Sequence, residues 1–261
     1  MSPLVMGVLN VTPDSFSDGG RYLDREAAIA RGLQLIAEGA AVVDVGGEST
    51  RPGAAPVDAL VERDRVVPVI HALTGRVRLS VDTTKAEVAE AAVEAGASLI
   101  NDVSATLWPI AAALGVGWVA MHMLGTPLTM QVAPRYDDVV GDVRRFLAEK
   151  ACMALDAGVP EVWVDPGIGF GKTLEHNLAL LASLRSLVAD GRPVLVGTSR
   201  KSFISALLGS APPDDRLEGS IASAVWAMSQ GVSMVRVHDV AATVQAAHVV
   251  GGEVALTGGE R

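Results

Sequence analysis

The sequence predicts a single α/β domain, a (β/α)8 barrel of the TIM type, from three features of the chain. Eight short apolar runs alternate with longer Ala-, Leu- and Glu-rich stretches at helical spacing, as in repeated βαβ units. The chain has 261 residues, close to the roughly 250 typical of such a barrel. Polar residues cluster just after the apolar runs, and in a barrel all these ends converge on one mouth. An open doubly wound sheet would share the alternation but would scatter the polar residues over two flanks.

The apolar runs define the predicted strands and, with the helices between them, a barrel over residues 1–250. The strands are Leu4 to Leu9, Ala41 to Val45, Val77 to Val81, Ser98 to Ile100, Gly117 to Met121, Val162 to Val164, Val194 to Val196 and Met234 to Val237. The Gly-rich segment 251–261 is expected to be a flexible C-terminal tail. Two connections, Val11 to Tyr22 and Gly47 to Asp58, exceed the usual length of about 4–6 residues. Their length favours mobile loops over the mouth rather than plain connectors.

Composition and charge exclude several classes of function. Apolar residues make up 49% of the chain and aromatic residues 4%, which suits buried parallel strands built from Val, Ile, Leu and Ala. A net charge of −9 argues against a nucleic-acid partner, which requires a basic face. Cys152 is the only cysteine, so an intrachain disulfide is impossible and a reducing cytoplasm is expected. The apolar run Met1 to Leu9 lacks a preceding Lys or Arg and is too short for a signal or a span, so no membrane segment is expected.

Four residues at or near strand ends combine acidic, amide and ammonium groups: Asp82, Asn101, Asp165 and Lys201. Together they suit the edge of a flat heterocycle with adjacent donors and acceptors. A carboxylate that accepts two N–H groups matches a guanidine-like edge, and either Asp82 or Asp165 fits that role. A single Asp after a strand is more often a helix N-cap, but four such groups at one mouth favour a binding site.

A second set brings cationic, hydroxyl and amide groups to the same mouth: Asn10, Thr50, Arg51, Arg236 and His238. Arginine offers forked donors to phosphate oxygens, and an Asn with waters suits a Mg2+ that bridges a diphosphate. Taken alone, Arg51 would be a solvated loop charge and His238 a core histidine. Their convergence in an acidic chain predicts an anion site.

The glycine-rich segment 165–172 resembles a phosphate-binding loop only superficially. The pattern GxxxxGK[ST] requires an opening glycine at the position that Pro166 occupies. The glycines are expected instead to let the backbone approach a planar ligand, with Phe170 or Met121 packing on its face. The sequence contains neither a GxSxG elbow nor an HExxH pair, which argues against a serine hydrolase and a zinc protease.

The sequence resembles the dihydropteroate synthase family across nearly the whole chain, from Val5 to Val250, and eight ordered motifs carry the resemblance. They are Gly7 to Gly20, Asp44 to Gly53, Ser80 to Thr83, Asn101 to Ser104, Met121 to Met123, Asp165 to Lys172, Ser199 to Ser202 and Arg236 to Asp239. The resemblance implies a (β/α)8 barrel that joins a pterin diphosphate to p-aminobenzoate in folate biosynthesis. It also implies Mg2+ as cofactor and a homodimer, with which apolar outer helices such as Ile221 to Met228 are compatible.

The resemblance also implies roles for individual residues. The pterin would be held by Asp82, Asn101, Met121, Asp165, Phe170, Lys201 and Arg236. The diphosphate would be held by Asn10, Thr50, Arg51, Arg236 and His238, with Asn10 as the metal ligand. The p-aminobenzoate would be bordered by Phe16, Pro52, Lys201 and Ser202. The catalytic residues would be Asp82, Lys201, Arg51 and Asp14, and the two loops that carry Asp14, Phe16 and Arg51 would close over the site.

The chemistry that follows is dissociative: diphosphate departs, and Asp82 stabilises the pterin-methyl cation that remains. Three alternatives compete with this interpretation. A pterin-binding methyltransferase would share the carboxylates but needs no diphosphate clamp, a silent homologue would have lost motif residues, and an unrelated phosphate-binding barrel would lack the paired carboxylates. The run Ala105 to Ile110 is shorter than the family's usual connection, so a short fourth helix and an altered rim are expected.

Overall fold

The computed structural model describes residues 3–12, 21–50 and 53–251, with the backbone alone for residues 21–24 and 214. Within these residues eight strands alternate with ten helices. The strands are β1 (Leu4–Asn10), β2 (Val42–Gly46), β3 (Arg78–Asp82), β4 (Leu99–Asp102), β5 (Gly117–Met121), β6 (Val162–Asp165), β7 (Leu195–Val196) and β8 (Met234–Val237). The helices are α1 (Arg21–Ala37), α2 (Ala59–Leu73), α3 (Ala86–Glu94), α4 (Trp108–Leu114), α5 (Val139–Asp156), α6 (Leu174–Ala182), α7 (Leu184–Val188), α8 (Ser202–Leu207), α9 (Leu217–Ser229) and α10 (Val240–Gly251).

All strand pairs are parallel, in the order β6-β5-β4-β3-β2-β1-β8-β7. The ring is completed by a parallel bridge between Val164 of β6 and Val194, next to β7, where the Val164 amide donates to Pro193 O at 3.1 Å. The predicted (β/α)8 barrel is therefore confirmed. No helix in the described ranges is long and apolar enough to cross a membrane.

The predicted strands differ from the observed ones mainly at their carboxyl ends. Asn10, Asp82, Asp102 and Asp165 were expected just after their strands, yet each is the last residue of one. The hydrogen-bond ladder continues past the apolar run, so that Asn10 pairs with Gly46 and Gly46 with Asp82. Apolarity marks burial of a side chain, whereas strand length is set by backbone pairing, and the two end at different residues.

The interior of the barrel is apolar at the amino ends of the strands and polar at the carboxyl ends. The apolar layer consists of Met6, Val42, Leu99, Val119, Trp163, Leu195 and Met234. Alternate residues of a strand face the same side, so the next inward positions lie two residues further along. Those positions include Asp44, Asn101, Met121, Asp165 and Arg236. The strand period thus carries these side chains from five strands to one mouth.

The connection between β4 and α4 is organised by Asp102. Its carboxylate accepts from the backbone amides of Ser104, Thr106 and Leu107 at 2.6–2.9 Å, and from Trp118 Nε1 at 3.2 Å. These bonds fold the short connection into a tight turn, and α4 spans only seven residues. The carboxylate of Asp102 therefore has a local structural role. At the other end of the chain α10 ends at Gly251, and residues 252–261 of the predicted tail lie outside the described residues.

Candidate active site

Arg236 of β8 is the centre of a buried ionic network inside the mouth. Its Nε donates to Asp44 Oδ2 at 2.6 Å and its Nη2 to Asp82 Oδ2 at 2.7 Å. Asn101 Nδ2 donates to the same Asp44 oxygen at 2.9 Å. The structure thus brings three predicted site residues, Asp82, Asn101 and Arg236, into one network. The fourth member, Asp44, was quoted in a motif but not predicted as a site residue, although it is an isolated charge within the apolar run of β2.

Asp82 titrates near neutrality. Burial raises the pKa of its carboxyl from the ordinary value of 3.8 to about 7, against the opposing effect of Arg236 and with further increases from Asp44, Glu62 and Asp102. Its Oδ1 is buried and has no hydrogen-bond partner among the described residues. Because a buried acceptor without a partner is unfavourable, this oxygen is suited to accept a hydrogen bond from a ligand.

Asp165 of β6 and Lys201, in the segment after β7, are two further charged residues of the same mouth. The amide of Gly167 donates to Asp165 Oδ1 at 2.7 Å, and Lys201 Nζ donates to Ile168 O. Lys201 Nζ also lies 4.7 Å from the ring centroid of Phe170, a cation–π distance. Burial raises the pKa of Asp165 and lowers that of Lys201 to about 8, and each charge opposes the other's shift. Since both groups also feel the charge of Arg236, the two clusters belong to one site.

The glycine-rich segment after β6 rests on a buried lysine that the sequence analysis did not single out. Lys172 Nζ contacts His122 Nδ1 at 3.0 Å, His122 O at 3.2 Å and Phe170 O at 2.9 Å. Burial lowers the pKa of Lys172 to about 7, and burial together with Lys172 lowers the pKa of His122 to about 4. The imidazole is therefore neutral at pH 7 and can accept from the ammonium through Nδ1.

Gly167 explains why this segment needs glycine. Its φ is +65°, and a Cβ on it would lie 1.9 Å from His122 O. The close approach that requires glycine here is to the backbone after β5. The expected approach of this segment to a planar ligand stays a prediction. Phe170 is partly exposed and lies beside Lys201, and Met121 is buried at the end of β5. The packing of either side chain on a planar ligand stays a prediction.

The predicted anion set is placed only in part by the structure. Asn10 ends β1 and pairs with Gly46 of β2, which places its side chain at the mouth near Asp82. His238 Nδ1 lies 3.0 Å from Ser199 Oγ, which fixes the ring after β8. Thr50 is partly exposed on the loop after β2.

The predicted residues of the two loops and of the outer rim differ in how far the structure describes them. Asp14, Phe16, Arg51 and Pro52 lie outside the described residues. Ser202 is exposed at the first position of α8, next to Lys201 in the chain.

The root of the loop after β2 is held by a lysine shared between two carboxylates, which the sequence analysis also missed. Glu48 Oε2 accepts from the Val57 amide at 2.6 Å and from Lys85 Nζ at 2.7 Å. Lys85 Nζ also donates to Glu62 Oε2 at 2.5 Å, and Glu62 is completely buried on α2. Further along the loop, the Gly53 amide donates to Pro127 O at 3.0 Å. Both ends of the loop that carries Thr50 are therefore tied to neighbouring elements.

The fold and the network define an α/β-barrel enzyme whose mouth is lined by paired carboxylates and cations, a setting for a planar polar ligand. Comparison with known proteins specifies the class further. Residues 6–238 match the family described as pterin binding enzyme. The dihydropteroate synthase of Mycobacterium leprae is 49% identical over 261 residues, covering 95% of this chain and 92% of that protein.

Two solved structures of Xanthomonas albilineans dihydropteroate synthase are also similar, one with 4-aminobenzoic acid and one in complex with 7,8-dihydropteroate. They share 49% and 46% identity with this chain, at TM-scores of 0.91 and 0.87. Each alignment covers 98% of this chain, and 94% and 95% of theirs. The chain belongs to the pterin binding enzymes and, within them, to the dihydropteroate synthase family.

Proposed function

We propose that the mouth of the barrel carries out the dihydropteroate synthase reaction through the charged network described above. The protein is a transferase that condenses 6-hydroxymethyl-7,8-dihydropterin diphosphate with p-aminobenzoate, giving 7,8-dihydropteroate and diphosphate. The observation that carries the assignment of roles is Asp82, a buried carboxylate with one oxygen bound to Arg236 and the other without a partner among the described residues.

The pterin ring is assigned to the carboxylates, the amide and the lysine at the strand ends. Asp165 keeps one oxygen on the Gly167 amide, which leaves its other oxygen for the N–H groups of the aminopyrimidinone edge. Asn101 offers a mixed donor and acceptor edge, and Lys201 offers ammonium donors. The Phe170 ring, Met121 and the Arg236 guanidinium supply surfaces against which the planar ring packs.

The diphosphate is assigned to Asn10, Thr50, Arg51, Arg236 and His238. The residues fit a Mg2+ at Asn10: its Oδ1 is a hard oxygen donor at the carboxyl end of β1, where the strand opens into the mouth. Mg2+ commonly takes only one or two protein ligands and completes its shell with waters and substrate phosphates. When bound, Mg2+ would withdraw charge from the departing diphosphate.

The reaction then needs electrostatic stabilisation more than a strong base. The bond between the pterin methylene carbon and the diphosphate oxygen breaks, and the electron pair leaves with diphosphate. The ionised Asp82 carboxylate stabilises the positive charge that develops on the pterin. The amino nitrogen of p-aminobenzoate forms the new bond to the methylene carbon and then loses a proton to solvent.

The p-aminobenzoate is assigned to the outer rim, bordered by Phe16, Pro52, Lys201 and Ser202. The exposed position of Ser202 beside the mouth residue Lys201 supports this placement. We assign the closure of the loops to Asp14, Phe16 and Arg51, since excluding water protects the cation from hydrolysis. Asp14, Arg51, Asp82 and Lys201 are the proposed catalytic residues.

We also propose a cytoplasmic homodimer. Large apolar side chains are exposed on or next to the outer helices α8 and α9: Leu207 at 54%, Leu208 at 56%, Leu217 at 40% and Trp226 at 47%. Exposed apolar side chains on outer helices are compatible with an interface. Sedimentation equilibrium of the purified protein, with Trp226→Glu as the comparison, tests the dimer: wild type should be twice the monomer mass.

The function is tested by diphosphate release from purified protein supplied with the pterin diphosphate, Mg2+ and p-aminobenzoate, each omitted in turn. Release should require all components and match dihydropteroate formation one to one. Tight pterin binding without product would favour a silent homologue, and transfer of a methyl group from a methylated folate would favour the methyltransferase alternative.

A further inference from the structure

Asp44 lies among the proposed pterin residues and contacts two of them. Its side chain is completely buried on β2, and Asn101 and Arg236 both donate to its Oδ2, at 2.9 and 2.6 Å. Its Oδ1 has no partner among the described residues. A fully enclosed carboxylate that holds two ligand-facing side chains by a single oxygen is in a position to control how both are presented.

The contact with Asp44 determines which way the Asn101 amide faces. Asp44 Oδ2 already accepts from Arg236 Nε, so it presents lone pairs and can only accept from Asn101. The amide nitrogen of Asn101 must therefore be the atom that faces Asp44. Its second N–H and its Oδ1 are then presented to the mouth in one fixed order. A flipped amide would exchange donor and acceptor and would place two oxygens against each other.

The same carboxylate also anchors Arg236. Asp44 holds Nε, close to the aliphatic stem, whereas Asp82 holds Nη2 at the far end of the guanidinium. The Nη2 end of the Arg236 guanidinium can therefore move away from Asp82 while Nε stays hydrogen-bonded to Asp44. Asp82 is thereby made available to a ligand without Arg236 losing its place in the mouth.

We propose that Asp44 is the positioning residue of the pterin site, which fixes the donor and acceptor order of Asn101 and anchors the stem of Arg236. This inference rests on the proposed function. Asp44 does not act on the reacting atoms in this scheme. It acts through Asn101 and Arg236, so its loss should impair recognition of the pterin substrate and leave the p-aminobenzoate subsite at the rim unchanged.

The test is steady-state kinetics of Asp44→Asn, which keeps the shape but lets the new amide donate to Asn101 Oδ1. The KM for the pterin diphosphate should rise about 10-fold or more, because a buried polar contact is mispaired. The KM for p-aminobenzoate should change less than about two-fold. Ser80→Ala is the matched control: Ser80 is paired with Asp44 in the neighbouring strand, is equally buried, and its Oγ has no partner among the described residues.

A double-mutant cycle separates positioning from a general structural role. If Asp44 acts mainly through Asn101, Asp44→Asn should change the pterin KM less than about three-fold in an Asn101→Ala background. Full additivity would overturn the assignment of Asn101 to Asp44, and a pterin KM in Asp44→Asn equal to that of wild type would overturn the whole proposal. Should Asp44→Asn fail to fold, Asp44→Ser is measured in the same way, with the same expected rise in pterin KM. A wild-type protein that forms no dihydropteroate would instead overturn the proposed function.

Discussion

Arg236 Nη2 lies 2.7 Å from Asp82 Oδ2, joining β8 to β3 across two intervening strands. This contact places a cation beside the carboxylate that is proposed to stabilise a developing positive charge. Burial nevertheless keeps the pKa of Asp82 high, near 7, because the opposing effect of Arg236 is smaller than the cost of desolvation. The Asp82 carboxylate can therefore still interact with a cationic ligand that lies closer to it than Arg236 does.

Replacing Asp82 with Asn should abolish most of the turnover while preserving the shape of the site. The neutral amide cannot stabilise the cationic pterin, so kcat should fall about 100-fold or more, as for loss of a preorganised electrostatic group. The measurement is the rate of dihydropteroate formation at saturating substrates. A kcat within a few-fold of wild type would remove Asp82 from the catalytic residues.

The raised pKa of Asp82 predicts two pH effects of defined sign. The rate kcat/KM for the pterin diphosphate should increase as pH rises through about 7, where the carboxyl loses its proton. In the folded chain the proton is bound more tightly than in the unfolded chain, whose ordinary pKa is 3.8. The Asp82 contribution to the free energy of unfolding should therefore decrease as pH rises from about 4 to about 7. Urea unfolding at pH 5 and pH 8 measures this change in the free energy of unfolding. The part of the change that is due to Asp82 should be absent in Asp82→Asn.

Lys172 should support the glycine-rich segment that carries Phe170. Lys172→Met keeps a chain of similar length but leaves His122 O and Phe170 O without this donor, which should destabilise the fold by about 1–3 kcal/mol and raise the pterin KM. Thermal unfolding and pterin kinetics are the measurements.

The lowered pKa of Lys172, near 7, also predicts a pH effect. The folded chain binds the Lys172 proton less tightly than the unfolded chain, so the free energy of unfolding of wild type should increase relative to that of Lys172→Met between about pH 7 and 10. A constant difference over that range would contradict the assignment.

Lys85 should hold the loop after β2 through its two carboxylates. Burial lowers the pKa of Lys85, but hydrogen bonds to Glu48 and Glu62 outweigh that effect, and the net shift is upward. Lys85→Met leaves Glu62 buried without its cation, and the cost should be roughly 3 kcal/mol. The matched variant Lys85→Met with Glu62→Gln removes the isolated charge and should recover most of the loss. Urea unfolding of both variants measures their free energies of unfolding. Equal destabilisation by the single and the double substitution would argue against a stabilising Lys85–Glu62 ion pair.

Asn10 should set the requirement for Mg2+. Removing the metal with a chelator should stop diphosphate release, and readdition should restore it. Asn10→Ala removes the proposed protein oxygen ligand, so the Mg2+ concentration at half-maximal rate should rise about 10-fold, within the range for loss of a metal contact. His71→Ala, on the outer helix α2, is the control and should leave this concentration unchanged. An Asn10→Ala protein with a normal Mg2+ response would place the metal elsewhere.

The barrel and most of the described site residues could be predicted from the sequence because both follow from local patterns. Apolar runs mark buried strands, and the polar residue that ends each run marks the mouth. Asn10, Asp82, Asn101 and Asp165 were predicted in this way and Arg236 from within its run, and all five lie at or near the carboxyl ends of strands. The family resemblance depended on the same short motifs.

The partners of these residues were decided only by the tertiary structure. Asp44 meets Arg236 across 192 positions of sequence, and Lys172 meets His122 across 50. No local pattern connects such pairs, because contact depends on which strands are neighbours and how deep each side chain lies. The titration of Asp82 near pH 7 is likewise absent from the sequence, since it results from burial among other charges. Local periodicity determines which side chains face the barrel interior. Closure of the barrel determines which residues each of these side chains contacts.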